Sequence, residues 1–418
     1  MIAFHWDWLL EATPEQLWPL VSDTNRINLL ASMAPASFTE TPNPEGGSDR
    51  TGNARQLGLG VAWDEHPFEW VYPHGFSVLR EFHNGVLRQY RSSVTLTPEG
   101  SGTRLVHRVE LEARIALMAP FVEREGPKQQ RNWDHAYRAI DAYVMGTGPY
   151  PFSRTAKVKL PGAAKELAAE IEVDSPDPEL ERKLFSCVMG EHEHELCHLR
   201  PFLLADRWRA SREALLGLCA YAVRRKLLIP QWSLLCPHCR GAKGTAARPE
   251  DLASTVFCNS CNISFGRVSD DLVELTFRPN PTYRKVQEAT YCVGGPGSQP
   301  HVLFQARLLP GAGRDVSLSI DPGRYRLRGP RIAAPLEFNY FTGDEVAEEL
   351  PVFEAADAGF TGPEADVQGP KLRLRLINTT NTPQDLLIET RDWRDDATTL
   401  ARVRALAADD AVIAQLLA

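Results

Sequence analysis

Two Cys-x-x-Cys pairs, Cys236-Pro-His-Cys239 and Cys258-Asn-Ser-Cys261, stand with eighteen residues between them and constrain the middle of the chain more than any other feature. Each pair folds as a tight knuckle. Two knuckles at this spacing place four thiolates tetrahedrally around one Zn²⁺, the arrangement of a zinc ribbon. Backbone N–H groups inside the turns can face the sulfurs, and Arg240 and Lys243 are near enough to offset the thiolate charge. Two disulfides, or free cysteines that happen to be paired, are the alternatives for the same four residues. The other cysteines, Cys187, Cys197, Cys219 and Cys292, are scattered, which fits a reducing cytoplasm better than a disulfide framework. Four cysteines leave no open coordination position, so the zinc expected here is structural rather than catalytic.

The chain of 418 residues is long enough for two to four domains with their own cores. Its start, Met1-Ile2-Ala3-Phe4-His5-Trp6-Asp7, has neither the basic nor the apolar region of a signal peptide. No apolar run approaches the ~18 residues of a membrane span, and a cytoplasmic protein is expected. A net charge of −8 weighs against generic nucleic-acid binding. The charge is uneven, however. Between Leu196 and Gly244 nine basic residues, among them Arg207, Arg212, Arg224, Arg225 and Lys226, face only Asp206 and Glu213.

Residues 2–11 alternate aromatic and polar side chains and read as a strand with one buried face. Thr13-Pro14-Glu15-Gln16 reads as a capped helix start, with Pro19 keeping the helix short or kinked. A second short helix is expected over 26–32 and a loop over 39–53. Four strand-like runs then share faces through Phe68, Trp70 and Tyr72; Phe76, Val78 and Phe82; Val86, Tyr90, Val94 and Leu96; and Leu105, His107, Val109 and Leu111. Asn84-Gly85 suits a two-residue hairpin turn, and residues 98–102 make the next. A helix over 128–145 carries the stripe Trp133, Tyr137, Ile140 and Val144.

Strand, two short helices, antiparallel meander and long final helix resemble the helix-grip fold of the START-like (SRPBCC, polyketide-cyclase-like) superfamily over residues 1–147. The resemblance implies a final helix closing a hydrophobic cavity over a curved sheet. Trp6, Trp8, Trp70, Tyr72, Phe82, Tyr90, Trp133 and Tyr137 then either line a cavity for an apolar small molecule or simply fill a core. His107 reads as a satisfied core histidine before a catalytic base.

Residues 148–293 begin with a linker expected to hold a short strand and a helix. Helices over 179–199, 201–208 and 211–226 follow, and a strand over 227–234 leads into the ribbon at 236–261. Three short helices and a strand outline a winged helix. From 298 to 393 short strands between Pro-Gly turns suggest a β-sandwich. Residues 394–418 end the chain with a helix over 395–407, its acidic start and arginine-rich end complementing the dipole. The fold class expected is thus α+β and multidomain: helix-grip domain, winged-helix-like segment with zinc ribbon, and C-terminal β-sandwich.

His194-Glu195-Leu196-Cys197-His198 fits the H-E-x-x-H pattern of zinc proteases, but lacks the further glycine and histidine of a metzincin and reads as a solvated helix end. The basic stretch around Arg207–Lys226 could contact phosphates, but it has little with which to read base edges, so nucleic acid is an unfavoured partner. Phe341-Thr342-Gly343-Asp344 shares a local pattern with the metal-binding strand of nucleotide cyclases without the surrounding motif.

Leu204-Ala205-Asp206-Arg207-Trp208, Ala222-Val223-Arg224, Trp232 to Cys239, Asn378-Thr379-Thr380 and Asp392 to Ala397 are similar to the N-terminal regulatory region of bacterial class III adenylate/guanylate cyclase-like proteins. That resemblance implies a START-like domain, a zinc-ribbon region ending in a β domain, and then a cyclase catalytic domain. Here it would lie beyond Ala418. A non-catalytic sensory or regulatory role, with a cyclase or other signalling output as partner, is the expectation. A winged-helix DNA binder and a START-like cyclase/dehydrase enzyme are the alternatives.

Overall fold

Alternation along Ile2–Leu10 gives β1, with Ile2, Trp6, Trp8 and Leu10 buried on one face. The computed structural model describes the chain except residues 44–46, 57–58, 154–161, 175–176, 345–347, 364–365, 393–395 and 418. Helix α1 (Pro14–Val21) opens with a closed capping box: Gln16 N donates to Thr13 Oγ1 at 3.4 Å and Thr13 N to Gln16 Oε1 at 3.0 Å. Helix α2 (Thr24–Leu30) begins two residues before the expected start because Asp23 caps it, accepting from Arg26 N. Strands β2 (Ser37–Pro42), β3 (Ser48–Gln56), β4 (Leu59–Glu65), β5 (Glu69–Val71), β6 (Gly75–Phe82), β7 (Leu87–Glu99) and β8 (Gly102–Ala113) follow. A single turn, α3 (Ala119–Glu123), and the long α4 (Gly126–Val144) close this part, α4 burying Trp133, Ala136, Tyr137 and Ile140.

Two expectations fail here. The loop placed at 39–53 is the β2–β3 hairpin. Gly52 belongs to a strand because the Trp63 indole occupies its side-chain space: a Cβ there would lie 2.2 Å from the ring. Asn84-Gly85 is not a two-residue turn either, since β6 and β7 last pair at Glu81 and Gln89. Asn84 instead bridges to the neighbouring strand, accepting from Ala62 N and donating to Gly60 O. The next turn is the two-residue one: Glu99 pairs with Gly102, and Gly100 takes φ +62°.

The middle of the chain holds α5 (Gly162–Asp174), α6 (Pro178–Gly190), α7 (Glu193–Cys197), α8 (Pro201–Trp208) and α9 (Arg212–Arg224). The strands β9 (Leu228–Leu235), β10 (Ala242–Ala246), β11 (Thr255–Cys258), β12 (Ile263–Gly266) and β13 (Val273–Pro279) follow. No strand occurs among the described residues of the expected linker, 149–178, of which 154–161 and 175–176 lie outside the description. The single helix expected over 179–199 is two, broken at Glu191, which has extended backbone. Ser211 caps α9 through Ala214 N. Strands β10, β9 and β13 make one sheet, and β11 and β12 a separate hairpin.

The last part is β14 (Val302–Leu308), β15 (Gly313–Leu318), β16 (Gly323–Arg328), β17 (Leu336–Thr342), β18 (Val352–Ala356), β19 (Gly359–Thr361), β20 (Val367–Gly369), β21 (Leu372–Asn378) and β22 (Gln384–Thr390), then α10 (Leu400–Ala407) and α11 (Ala411–Ala414). Strands β15-β21-β18-β19 form one sheet; β14-β22-β16-β17-β20 run in order in another. One apolar cluster, with Phe304, Leu327, Tyr340, Phe353, Leu374 and Ile388, draws on both. The second of these sheets does not stop at β14. Gln305 pairs with Trp70 and Phe304 with Val71, so β5 and β14 join the helix-grip strands and the C-terminal strands in one sheet of order β1-β8-β7-β6-β5-β14-β22-β16-β17-β20.

Contacts accordingly divide the chain into two compact units rather than four consecutive segments. The first is Met1–Pro151, Asn259–Asn262 and Thr290–Trp393; the second is Phe152–Cys258, Ile263–Ala289 and Arg394–Ala418. The terminal helix starts at Leu400, not at 395. Residues before it are tied to β13 instead, Leu275 N donating to Thr398 O and Glu274 bridging Thr399. No helix among the described residues is long and apolar enough to cross a membrane.

Candidate metal centre and cavities

The first knuckle continues β9. Cys236 N donates to Gly241 O and Arg240 N to Cys236 O, closing the turn around Cys236–Cys239. The second sits at the β11–β12 hairpin, where Cys258 pairs with Ile263 and Asn262 N donates to Asn259 O. In both, the residue after the second cysteine is left-handed: Arg240 at φ +59° and Asn262 at φ +54°. Cys261 lies three residues beyond Cys258 within that hairpin, so local chain geometry fixes the pair.

The result is that Cys236, Cys239, Cys258 and Cys261 bring their Sγ atoms within 4.8 Å of one another, all four buried. Cys239 and Cys258 Sγ are 3.8 Å apart. A disulfide needs ~2.05 Å. Four sulfurs at the ~2.3 Å Zn–S distance of a tetrahedral site lie about 3.8 Å apart. The donor set therefore fits a zinc ion and not the disulfide alternative, and all eight cysteines are free thiols. Arg240 Nη2 donates to Asp271 O at 3.1 Å.

The helix-grip part encloses a cavity of about 40 Å³ between sheet and α4. Of the nine residues expected to line it, Tyr90, His107, Trp133 and Tyr137 do. Trp6 and Trp8 pack instead on His107 and Tyr137, with Trp8 Nε1 donating to Asp134 Oδ1. Trp70 is spent on the β5–β14 junction, its Nε1 donating to Val302 O. Tyr72 packs on Trp18 and Phe82 on Trp63. The space left suits a water or two. It is far below the ~300 Å³ of a small-molecule site, and the aromatics around it pack largely against one another.

His107 is 2 % exposed and engaged at both nitrogens: Nε2 with Ser92 Oγ at 2.9 Å and Nδ1 with Tyr137 OH at 3.2 Å. Burial pushes its pKa down to about 3, leaving a neutral, satisfied ring, as the sequence suggested.

The H-E-x-x-H stretch does not assemble. Helix α7 ends at Cys197, His198 has left helical geometry, and Glu195 is held by Arg207 at 3.0 Å. Part of the basic stretch is paired within its own unit, Arg200 with Glu274, Arg207 with Glu195, Arg212 with Asp206 and Asp396, and Arg225 with Glu170. Helix α9 buries six residues, including Leu215, Leu216, Leu218 and Cys219, which leaves little of it for a groove. Asp344 joins no group of potential metal ligands among the described residues.

Sequence reasoning missed the larger cavity, about 340 Å³, in the first unit. Arg50, Gln305, Arg307, Arg328, Arg331 and Asp385 are among its lining residues. In sequence, polar residues alternating along β14 and β22 look the same whether water or a pocket lies above them.

Residues 165–292 match the model of a family described as of unknown function (DUF5939). No curated protein matches the chain. Similar solved structures each align with about a third of it. TTHA0849 from Thermus thermophilus is 19 % identical, with a TM-score of 0.26 over 35 % of this chain and 98 % of that one. The Zhui aromatase/cyclase from Streptomyces sp. R1128 is 11 % identical at 0.26, over 35 % and 98 %. The di-domain ARO/CYC StfQ from the steffimycin biosynthetic pathway is 9 % identical at 0.27, over 35 % and 52 %. At such scores these likenesses carry no argument about chemistry, and the helix-grip description rests on the strand order and final helix above.

Proposed function

We propose that the protein is a non-catalytic regulatory module, braced by one structural zinc ion and acting on a signalling output of the class III cyclase type that the sequence resembles. The observation that carries this reading is the closed set of four buried cysteines, which would hold zinc with no position left for water or substrate. A bound zinc would supply folding energy to the two knuckles and no chemistry. His107, the histidine of the helix-grip cavity, is buried and hydrogen-bonded on both sides, which favours a packing role over general base catalysis. The paired arginines around α9 favour this reading over DNA binding. The winged-helix outline of α6–α9 with β9 then serves as a scaffold for the ribbon.

The test has two parts. Elemental analysis with native mass spectrometry is expected to give one zinc per chain, and Cys258→Ser to lose it together with thermal stability. Addition of the purified protein to a class III cyclase domain, in trans or as a fusion, is expected to change nucleotide cyclisation. Zinc-free protein of full stability would refute the structural ion, and unchanged cyclase output in both formats would refute the regulatory role.

A further inference from the structure

Alternation along β14 and β22 sends Phe304, Ala306, Leu386 and Ile388 into the apolar core and turns Gln305, Arg307 and Asp385 to the opposite face. That face is not a solvated sheet surface. Gln305 is 9 % and Arg328, on neighbouring β16, 4 % exposed. Both are anchored, Gln305 Nε2 donating to Phe68 O at 2.7 Å and Arg328 Nε to Glu389 Oε2 at 2.6 Å. Charged and amide groups held rigidly beneath a cavity of about 340 Å³, within the size range of small-molecule sites, form a built polar pocket.

One pair in it is left open. Arg307 and Asp385 are direct cross-strand partners, yet Nε and Oδ1 stand 3.9 Å apart, beyond hydrogen-bonding reach. Oδ1 of Asp385 is a buried acceptor without a hydrogen-bond partner. Burial pushes this carboxyl up, against the opposing pull of Arg307, Arg331 and Arg50. The other carboxylates of the pocket have closer partners: Glu65 with Arg80 at 2.7 Å, Glu81 with His66 at 2.8 Å, Asp64 with His83 at 2.9 Å, and Asp49, which accepts from Asn43 Nδ2 at 3.1 Å.

We propose that this pocket binds a small polar molecule bearing both an oxyanion and a hydroxyl, the oxyanion on the Arg307 guanidinium and the hydroxyl donating to Oδ1 of Asp385. Arg50 and Arg331 add positive potential in the same pocket. The oxyanion is a phosphate ester or a carboxylate, the two groups that a planar guanidinium grips with paired hydrogen bonds. The site deepens the regulatory reading and rests on it for its purpose, but binding is measured without any output.

Isothermal titration at fixed ionic strength separates the two sources. Glycerol 3-phosphate is compared with inorganic phosphate, and malate with succinate, which lacks the hydroxyl. The wild-type chain is expected to bind glycerol 3-phosphate or malate with a Kd below about 1 mM, and Arg307→Gln to weaken that binding at least about tenfold. Asp385→Leu, which keeps the shape without an acceptor, is expected to weaken the hydroxylated probe to the level of its counterpart. Should Arg307→Gln fail to fold, Arg307→Lys keeps the charge but not the fork, and is expected to bind several-fold more weakly than wild type. Absence of binding of either hydroxylated probe up to about 10 mM, or binding unaltered by the Arg307 variants, overturns the site. Such a failure leaves zinc content and cyclase modulation untouched, so the two readings fall separately.

Discussion

Inside the helix-grip core, His107 ties strand to helix while carrying no charge. Ser92 on β7 and Tyr137 on α4 occupy its two nitrogens, and Trp133 packs edge-on at 4.7 Å. Its pKa of about 3 in the fold, set by burial, lies below the ~6.5 of an unfolded histidine. Between those values the unfolded chain binds the proton more readily. This contribution to stability is therefore complete above about pH 6.5 and is lost as pH falls toward 3. His107→Phe removes the titrating group, so the stability lost between pH 7 and pH 5 in urea melts is expected to shrink by about 2 kcal/mol. An unchanged pH dependence would place the protonation-sensitive group elsewhere. The histidine was legible in the sequence as one member of an inward-facing row, and the cluster of four cysteines was legible from the spacing of its two Cys-x-x-Cys pairs. Asp385 was not legible, because whether an acceptor on a strand is hydrated or buried depends on what another part of the chain lays over it.

Among the elements, β16 and β22 carry an interaction that alternation alone does not foretell. Arg326 and Arg328 both donate to Glu389, and His301 Nε2 stands 3.8 Å from the same carboxylate, in a cluster where Glu389 is 1 % exposed. Burial pushes the Glu389 carboxyl up, but Arg328 and Arg326 together outweigh it and hold the group below its usual range. The stabilisation is accordingly present above the unfolded carboxylate pKa of ~4.3 and lost as pH falls through the lower folded value. Glu389→Gln leaves two buried guanidinium groups without their counter-charge and is expected to cost about 3–5 kcal/mol in denaturant melts at pH 7. A loss under about 1 kcal/mol would mean that solvent reaches the cluster. Elements with a local signature were readable in advance: Thr13 and Gln16 close α1, and Ser211 caps α9. The β2–β3 hairpin was not, because its glycine serves an indole rather than a turn. The reading of α10 depended partly on Trp393 and Asp395, which lie outside the described residues; the part that holds is the buried pair Leu400 and Val403.

At the scale of the whole molecule, the decisive contact joins segments more than two hundred residues apart. The three-residue strand β5 gives its edge to β14 through Trp70 and Val71. Around that pairing, Tyr72 N donates to Leu303 O, Trp70 Nε1 to Val302 O and Gln305 Nε2 to Phe68 O. Phe68 and Trp70 are each 2 % exposed as a consequence. Nothing local marks this join, since a short apolar strand reads alike at an open edge and inside a sheet, so the sequence suggested an independent domain ending near residue 147. Physical cost argues otherwise. Cutting the chain there would bare an unpaired strand edge with a tryptophan on it, and such edges template self-association. It would also strand the Trp70 indole N–H and the Phe68 carbonyl without the partners that justify their burial. A fragment spanning Met1–Pro151 is therefore expected to aggregate or to melt well below the intact chain. The same fragment extended in trans by Thr290–Trp393, the remaining long segment of its unit, is expected to recover a monodisperse complex. Size-exclusion chromatography with circular dichroism melts checks both. A monomeric 1–151 fragment as heat-stable as the full chain would show that the β5–β14 junction is a tolerated contact, and that the helix-grip fold stands without it.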